Sequence, residues 1–298
     1  MILTRRRVLT GTLFTASLAA PVRRSGAVII LDSTWRSEGG GPGHESEGFG
    51  AHVALANQPQ FSAVIPLSHA GDDDWGAGSG TWVGNFDGVG YVLTAAHVFN
   101  PGGAATDFDY RLPDGTVLEG TDITFHPLYN WKDKRTGYDF AIVELEGPVS
   151  NAGAPPVLYA GDREEAARIV MVGYGARGIG SAGQKSIYQP SWGKAAAENT
   201  VDELMAAVRP VPSDKDAGNW FSVTLRRESE GASRLDGLLG SGDSGGSTWI
   251  RTAGQWSIAG VNASGTGNAA YGESSYFARV SGVRDWLADT LPGLRFTR

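Results

Sequence analysis

The sequence predicts an all-β fold built from many short strands separated by turns. Glycine occupies 43 of the 298 positions, about twice its usual share of ~7%. The chain also contains nine Trp, nine Tyr and 11 Phe, and aromatic and β-branched residues favour strands. Short apolar segments bounded by turn residues recur along the chain. This combination is typical of antiparallel sandwiches and barrels.

The first half of the chain contains four clear strand segments. The segment "FSAVIPL" begins at Phe61, and "GSGTWVGNFDGVGYVLTAA" follows with a predicted turn at Asp87-Gly88. The segment "YRLPDGTVLEG" predicts a hairpin with its turn at Asp114-Gly115. Residues 139–147, "DFAIVELEG", form a strongly apolar strand.

The second half continues the strand pattern and adds two predicted helices. The strand segments are "ARIVMVGYG", "NWFSVTLRRE", "STWIRTAGQWSIAGVNASG" and "SSYFARV". One predicted helix covers residues 196–208. The other covers residues 281–291, where Val283, Trp286 and Leu287 share one face.

The first twenty residues resemble an export signal. Three arginines, Arg5 to Arg7, precede a short apolar run from Val8 to Ala20. That run is shorter than the roughly 20 residues that a membrane span needs. We therefore predict a twin-arginine-like signal peptide over residues 1–20, no stable membrane anchor, and a secreted or periplasmic protein. A basic tail or a membrane-anchoring helix is the alternative.

Residues 21–58 are predicted to be a linker or pro-segment. The stretch "SEGGGPGHESEGFG" has no periodicity, and its composition favours disorder. Charge and cysteine content restrict the partners and the chemistry. The net charge of −7 argues against a nucleic-acid partner, because phosphate binding requires a basic surface. The chain has no cysteine, which excludes disulfides and thiolate sites.

The stretch "GSGDSGGS" around Ser244 has the properties of an acyl-transfer nucleophile. A serine hydroxyl needs a base to take its proton, and the developing oxyanion needs fixed donors such as backbone N–H groups. Glycine lets those groups turn towards a ligand. Among the five histidines, His97 ends an apolar strand beside small residues, and Asp139 lies at the start of another strand. A Gly-Ser turn, a structural histidine and a turn-forming aspartate are the alternatives.

These motifs together resemble the chymotrypsin/trypsin-like serine proteases. "VLTAAHV" is similar to the family's catalytic-histidine motif, "YDFAIVELEGPV" to its aspartate segment and "GSGDSGGS" to its serine motif. Their order along the chain is also the family's order. "HPLYN", "MVGYG" and "SYFARVSGVRDWL" are further similar segments. The resemblance covers roughly residues 60 to 290.

The resemblance implies two six-stranded antiparallel β-barrels and a C-terminal helix within a domain over residues 59–298. The barrels would cover about 59–150 and 160–280, with the helix at 281–291. It implies a secreted serine endopeptidase that needs no cofactor or metal and acts on peptides or proteins. His97 would be the general base and acid, Asp139 its orienting group and Ser244 the nucleophile. The N–H groups of Gly242 and Ser244 would form the oxyanion hole.

The sequence departs from the family at the segment that normally supplies the mature amino terminus. Active members begin with a freed Ile-Val-Gly-Gly terminus that pairs with the aspartate before the serine, here Asp243. No such motif precedes Phe61. We therefore expect either another partner for Asp243 or a new terminus formed within residues 21–64. The oligomeric state is not specified by the sequence.

The resemblance also places three residues at the specificity pocket. Leu238, six residues before Ser244, would lie at the base, and Gly265 and Ser275 on the walls. An apolar base and a glycine wall predict a medium or large apolar substrate side chain. The absence of an acid at the base predicts no cleavage after Lys or Arg.

Several other interpretations remain. A non-catalytic homologue that binds peptides or proteins is the main alternative. The motif G-x-S-x-G at Ser244 also fits an α/β-hydrolase, but that fold places its histidine after the serine, and the last histidine is His126. The glycines of residues 173–178 match a dinucleotide-binding pattern that lacks a following helix. Asp72–Asp74 could bind calcium, although a solvated acidic loop is the expected state.

Overall fold

A computed structural model describes residues 28–132, 137–188, 193–205 and 219–297. The described residues are mostly β-strand, with three short α-helices. The predicted all-β class is therefore confirmed. The architecture is that of the chymotrypsin-like fold: one closed six-stranded barrel, a second half-barrel sheet and a short C-terminal helix.

The first half of the chain forms the closed barrel. Its strands are β2 (Val64–His69), β3 (Gly78–Phe86), β4 (Val89–Thr94), β5 (Phe108–Arg111), β6 (Val117–Phe125) and β7 (Ala141–Leu145). They close in the order β2-β3-β4-β7-β6-β5, with every neighbouring pair antiparallel. The Asp87-Gly88 turn joins β3 to β4 as predicted. Both residues have positive φ (51° and 90°), which matches the twist of a tight hairpin.

The second half is a larger antiparallel sheet. Its strands are β8 (Val157–Leu158), β9 (Arg168–Gly173), β12 (Ala195–Thr200), β13 (Glu203–Met205), β14 (Trp220–Thr224), β16 (Ser247–Thr252), β17 (Gln255–Gly265) and β18 (Ser274–Arg279). The order is β12-β9-β16-β17-β18-β14-β13, and β8 runs parallel to β17. The sheet curves around a second cluster of buried side chains, which includes Met171, Phe221 and Phe277.

Four further strands form a small sheet against this second half. They are β1 (Ile29–Ile30), β10 (Gly178–Ile179), β11 (Gly183–Gln184) and β15 (Gly237–Leu238), in the order β11-β10-β1-β15. Strand β1 lies between β10 and β15. The amino-terminal segment thus connects two parts of the chain that are distant in sequence.

The disorder expected within residues 21–58 is not what the structure has for residues 28–58. These residues contain β1, α1 (Asp32–Ser37) and α2 (Gly50–Ala56). Residues 28–31 have no exposed surface. The glycine-rich stretch lies around the Trp35 indole, and a Cβ added at Gly40 or Gly48 would collide with that side chain. Gly40 and Gly48 allow this stretch to pack closely around one large side chain. Residues 21–27 lie outside the described residues.

The helix predicted over residues 196–208 is wrong where it can be checked. Residues 195–200 are β12 and 203–205 are β13, and residues 206–208 lie outside the described part of the chain. The alanines alternate between two cores, since Ala196 packs in the first cluster and Ala195 and Ala197 in the second. Pairing with β9 and burial on both faces override the helix propensity of alanine.

The C-terminal helix agrees with its prediction. A 3-10 turn over Ser281–Val283 leads into α3 (Arg284–Thr290). Val283 and Leu287 are buried, and the Trp286 ring contacts His126 of the first barrel at 4.7 Å between ring centroids. No helix in the described residues is long and apolar enough to cross a membrane.

Candidate active site

The strand register of the first barrel brings His97 and Asp139 together. His97 lies on a 3-10 turn, Ala96–Val98, directly after β4, and Asp139 lies just before β7. These strands pair with Thr94 opposite Ala141. The His97 Nδ1 is 2.6 Å from Asp139 Oδ2, and the His97 backbone N–H donates to Oδ1 at 2.9 Å. The two bonds fix both the imidazole ring and the backbone that carries it.

Ser244 reaches the same histidine from the second half of the molecule. It lies in the loop between β15 and β16, and its Oγ is 2.7 Å from His97 Nε2. The Ser244 carbonyl accepts a hydrogen bond from the Ser79 N–H at 2.8 Å. A strand of the first barrel therefore holds the serine loop in place across the cleft. The three residues that the sequence singled out are brought together in one hydrogen-bonded chain.

The backbone at Gly242 has the conformation that glycine was expected to supply. Its φ is +96°, in the left-handed region, and a Cβ there would collide with the Gly76 carbonyl. Among the described residues, neither the Gly242 nor the Ser244 N–H donates a hydrogen bond, and both residues are partly exposed. These two N–H groups are available to a ligand oxygen beside the serine hydroxyl.

The Asp243 side chain points away from the cleft into a fully buried site. Its Oδ2 accepts N–H bonds from Gly240 at 2.7 Å and Val28 at 3.3 Å, and its Oδ1 accepts one from Gly175 at 2.8 Å. Burial raises the pKa of Asp243 to about 6, while the three N–H donors and the charge of Arg177 act in the opposite direction. The conformation of the serine loop thus depends on a buried carboxylate.

A cavity of ≈ 160 Å³ adjoins Ser244. Gly265 lines it, as predicted from the resemblance. Ser275, which the resemblance placed on the wall, is buried and does not line the cavity; its Oγ accepts a hydrogen bond from the Leu239 N–H at 3.0 Å. The lining comes mainly from residues 239–241 and 263–269. No described residue of this lining carries a charge.

Leu238 does not lie at the base of this cavity. It is fully buried in β15 and pairs with Ile29 of β1, whereas Leu239 lines the cavity. The Leu238 side chain instead packs in the second cluster of buried residues.

The sequence analysis missed the residues that surround Asp243, namely Val28, Gly175 and Arg177. The glycine pattern of residues 173–178 was the available signal. A Cβ at Gly173 or Gly175 would collide with Asp243, and one at Gly178 with the backbone of Gly183. The glycines therefore allow close packing around a carboxylate, which explains a pattern that also resembles a dinucleotide-binding motif.

The acidic loop at Asp72–Asp74 lies at the surface. Asp72 and Asp73 are exposed. Among the described residues, no group of three or more His, Asp or Glu side chains is placed to hold a metal ion.

Comparison with known families agrees with the fold and with the position of this site. The model of the trypsin-like peptidase domain matches residues 78–256, more than half of the chain. The chain belongs to the trypsin-like peptidase family. The matched region begins at β3 and ends within β17, so it contains His97, Asp139 and Ser244. Membership supports a serine-protease type of function and a peptide or protein substrate.

Proposed function

We propose that this protein is a secreted serine endopeptidase that hydrolyses peptide bonds through an acyl-enzyme on Ser244. One observation carries the proposal: a continuous hydrogen-bonded chain links Asp139, His97 and Ser244 with distances of 2.6 and 2.7 Å. The distance of 2.7 Å between His97 Nε2 and Ser244 Oγ is within the range needed for proton transfer in a nucleophile–base pair, and the distance of 2.6 Å to Asp139 allows the hydrogen bond that orients the imidazole.

In the first step, Ser244 Oγ attacks the scissile carbonyl while His97 Nε2 takes its proton. Asp139 accepts the His97 Nδ1–H, which leaves the Nε2 lone pair directed at the serine hydroxyl. The carbonyl oxygen becomes negative beside the Gly242 and Ser244 N–H groups, which are already oriented and stabilise it. Because these donors are fixed before the reaction, they need little reorganisation as charge develops.

The second step returns the proton and releases the products. Imidazolium at His97 gives its proton to the leaving amine as the C–N bond breaks, and the acyl group remains on Ser244 Oγ. Water then attacks the ester with His97 as the base, and His97 gives that proton to Ser244 Oγ as the C–Oγ bond breaks and the carboxylic acid product leaves. The enzyme ends with the same protonation state with which it began.

The substrate side chain before the cleaved bond is proposed to be uncharged. The lining of the cavity is uncharged, and Ala263, Gly265 and Ala269 add only small side chains, or none, to its walls. A charged side chain would lose its hydration there without a partner. Profiling with a peptide library tests this specificity: dominant cleavage after Lys, Arg or Glu contradicts it.

Export and maturation are proposed to generate a new terminus at Val28. As an internal residue, Val28 has a φ of +71°, which is unfavourable for a β-branched side chain. Cleavage after Ala27 removes this torsion and converts the N–H that lies 3.3 Å from Asp243 Oδ2 into an ammonium group. Mass spectrometry of the protein from the culture medium tests this: a mature terminus at any residue other than Val28 contradicts it.

An activity-based probe tests the catalytic proposal. A fluorophosphonate should label the folded protein once, on Ser244, and Ser244→Ala should abolish labelling and reduce peptide hydrolysis on the order of 10⁶-fold. Ser264→Ala, a change at another serine of the same cavity, is the matched control and should still be labelled. Absence of labelling in the mature wild-type protein would instead favour a non-catalytic binding homologue.

A further inference from the structure

Two backbone hydrogen bonds hold the chain on either side of Asp139. The Phe140 N–H donates to the Tyr138 carbonyl at 2.8 Å, which makes a three-residue turn with Asp139 at its centre. The Phe140 carbonyl accepts a hydrogen bond from the His126 N–H at 3.0 Å. Because Asp139 is the middle residue of so short a turn, the direction of its carboxylate depends on the conformation of its two neighbours.

Tyr138 has a backbone conformation that its side chain does not favour. Its φ is +61°, in the left-handed region, where a bulky residue is uncommon. Such a conformation persists only where the surrounding structure holds it. Tyr138 is 3% exposed, and the preceding Gly137 lies so close to Asn219 that an added Cβ would collide with that side chain. The residue before Asp139 is therefore held by its contacts and not by its own backbone preference.

The His126 ring packs flat on the Tyr138 ring. Their centroids are 4.7 Å apart, and their planes differ by 12°. The Trp286 ring of α3 contacts His126 at a steep angle, with 4.7 Å between the centroids. His126 is 6% exposed, so it fills the space between the tyrosine and the C-terminal helix.

A hydrogen bond fixes the orientation of the His126 ring. Its Nδ1 accepts the Leu128 N–H at 3.2 Å. Burial lowers the pKa of His126 to about 4, so Nδ1 carries no proton at neutral pH and remains an acceptor. His126 thus contacts both neighbours of Asp139, since its N–H binds Phe140 and its oriented ring covers Tyr138.

We propose that His126 is a positioning residue for Asp139: its ring, stacked on Tyr138, holds the turn that directs the Asp139 carboxylate at His97. The two bonds from His97, one from Nδ1 and one from the backbone N–H, use both carboxylate oxygens at once. A rotation of the turn would therefore lengthen at least one of them. This inference deepens the proposed peptidase function and rests on it, because it concerns the group that orients the catalytic base.

Two substitutions at position 126 separate the ring from its hydrogen bond. His126→Asn places an amide oxygen where Nδ1 accepts the Leu128 N–H, but it removes the ring. His126→Phe keeps a ring on Tyr138 and removes the acceptor. Both variants keep the backbone N–H that binds the Phe140 carbonyl. If the stacked ring positions Asp139, the Asn variant should disturb the site and the Phe variant should preserve it.

The hydrogen bond between His97 and Asp139 gives a direct readout in folded protein. A proton in so short a bond resonates far downfield in NMR spectra, and Asp139→Asn, which should abolish the resonance, assigns it. We expect the resonance to be lost or moved upfield in His126→Asn and retained in His126→Phe. The rate of fluorophosphonate labelling at Ser244 should fall roughly tenfold in His126→Asn, less than in Asp139→Asn, and should recover in His126→Phe.

Either of two results would overturn the proposal. One is an unchanged resonance and labelling rate in folded His126→Asn. The other is an equal loss in the Asn and Phe variants. Ile65→Ala is the matched control for packing, because Ile65 is 1% exposed in the same barrel. It should lower stability without changing the resonance or the labelling rate. A loss in folded Ile65→Ala equal to that in His126→Asn would show a general packing effect and refute the specific role of His126.

Changes at the other ring serve if His126→Asn does not fold. Tyr138→Leu removes the stack while His126 remains, and it should cause the same losses of resonance and labelling. Tyr138→Phe keeps the ring and should cause neither. Where the single variants fold, the double variant His126→Asn/Tyr138→Leu should lose no more than either of them. Losses that multiply, or a Tyr138→Leu variant that behaves as wild type, would refute an action through the stack.

The outcomes also separate this inference from the proposed function. Wild-type protein that shows the downfield resonance but does not react with the fluorophosphonate refutes the peptidase. Wild-type protein that reacts, together with a His126→Asn variant that matches it in both measurements, refutes only the role of His126.

Discussion

The two halves of the molecule support the reacting groups in different ways. The first barrel closes through contiguous strands, β2 to β7, and positions His97 and Asp139 by the pairing of β4 with β7. The second half holds Ser244 through a loop whose buried carboxylate depends on residues near 28, 175 and 240. The positions of His97 and Asp139 therefore depend on one local unit, whereas the position of Ser244 depends on long-range assembly. Damage at the amino-terminal segment should affect Ser244 before it affects His97.

The largest effect is expected for a change within the first-barrel pair. Asp139→Asn should lower kcat about 10⁴-fold, the magnitude known for this kind of triad, because an amide does not hold the required imidazole tautomer. The fold should persist, since Asp139 lies just outside β7. Steady-state peptide hydrolysis measures the effect, and a loss below tenfold would contradict the role of Asp139.

A change in the serine loop should lower kcat less than Asp139→Asn does, because it affects only the stabilisation of the oxyanion. Gly242→Ala should lower kcat roughly 10²–10³-fold, because a side chain at φ +96° meets the Gly76 carbonyl and displaces an oxyanion donor. Gly88→Ala is the matched control, since its φ is +90° and no atom lies within 4 Å of the added Cβ. The control should cost only about 1 kcal/mol of stability, with kcat unchanged. Equal kcat for the two variants would refute the proposed oxyanion hole.

A pair of isoleucines compares the two halves directly. Ile29 of β1 and Ile65 of β2 are 0% and 1% exposed, and replacing either by Ala should cost about 2–5 kcal/mol of unfolding free energy. Only Ile29→Ala should also slow labelling of Ser244 in protein that remains folded, because β1 continues from the Val28 contact with Asp243. Chemical denaturation and probe labelling measure the two quantities. A similar slowing in folded Ile65→Ala would contradict the difference between the halves.

The smallest effect concerns the acid stability of the second half. Burial lowers the pKa of His52 from 6.5 to about 4, and its Nδ1 lies 2.7 Å from the Ala196 carbonyl oxygen. The unfolded chain therefore binds a proton between pH 6.5 and 4 that the folded chain does not, and up to roughly 3 kcal/mol of stability is lost as pH falls through this window.

Replacing this histidine should reduce that dependence. His52→Asn should make the fall in unfolding free energy between pH 6.5 and 4 less steep, because no proton is taken up at this position. Burial also lowers the pKa of His126 to about 4, and the fall that His126 causes should remain. His44→Asn, a change at an exposed histidine, should not make the fall less steep, because the hydrogen bond to Glu47 raises the pKa of His44 rather than lowering it. An equal pH dependence of His52→Asn and wild type would show that His52 does not cause the acid sensitivity.

The motifs predicted the site better than composition predicted the segments around it. His97, Asp139 and Ser244 lie in short motifs whose chemistry is local, so their residues could be identified directly. The fold of residues 28–58 depends on pairing with β10 and β15, which lie far along the chain, and composition carries no signal of that pairing. The family resemblance placed Leu238 at the pocket, whereas its side chain packs in the second cluster of buried residues.

The alanine-rich segment shows a similar effect of long-range packing. Residues 195–200 have the local propensity of a helix, but burial against two different cores makes them a strand. The alternation of these alanines between two cores depends on residues that are distant in sequence. The need for glycine at positions 173, 175 and 178 likewise becomes clear only in three dimensions, because Asp243 and the Gly183 backbone lie against these residues.

Covalent capture of the acyl group tests the central claim most directly. Mixing the mature enzyme with 4-nitrophenyl acetate should release a burst of about one equivalent of 4-nitrophenol, because acylation of the activated serine precedes slower deacylation. Acid quenching and peptide mapping should then place the acetyl group on Ser244. No burst, or an acetyl group on a different residue, would contradict the account.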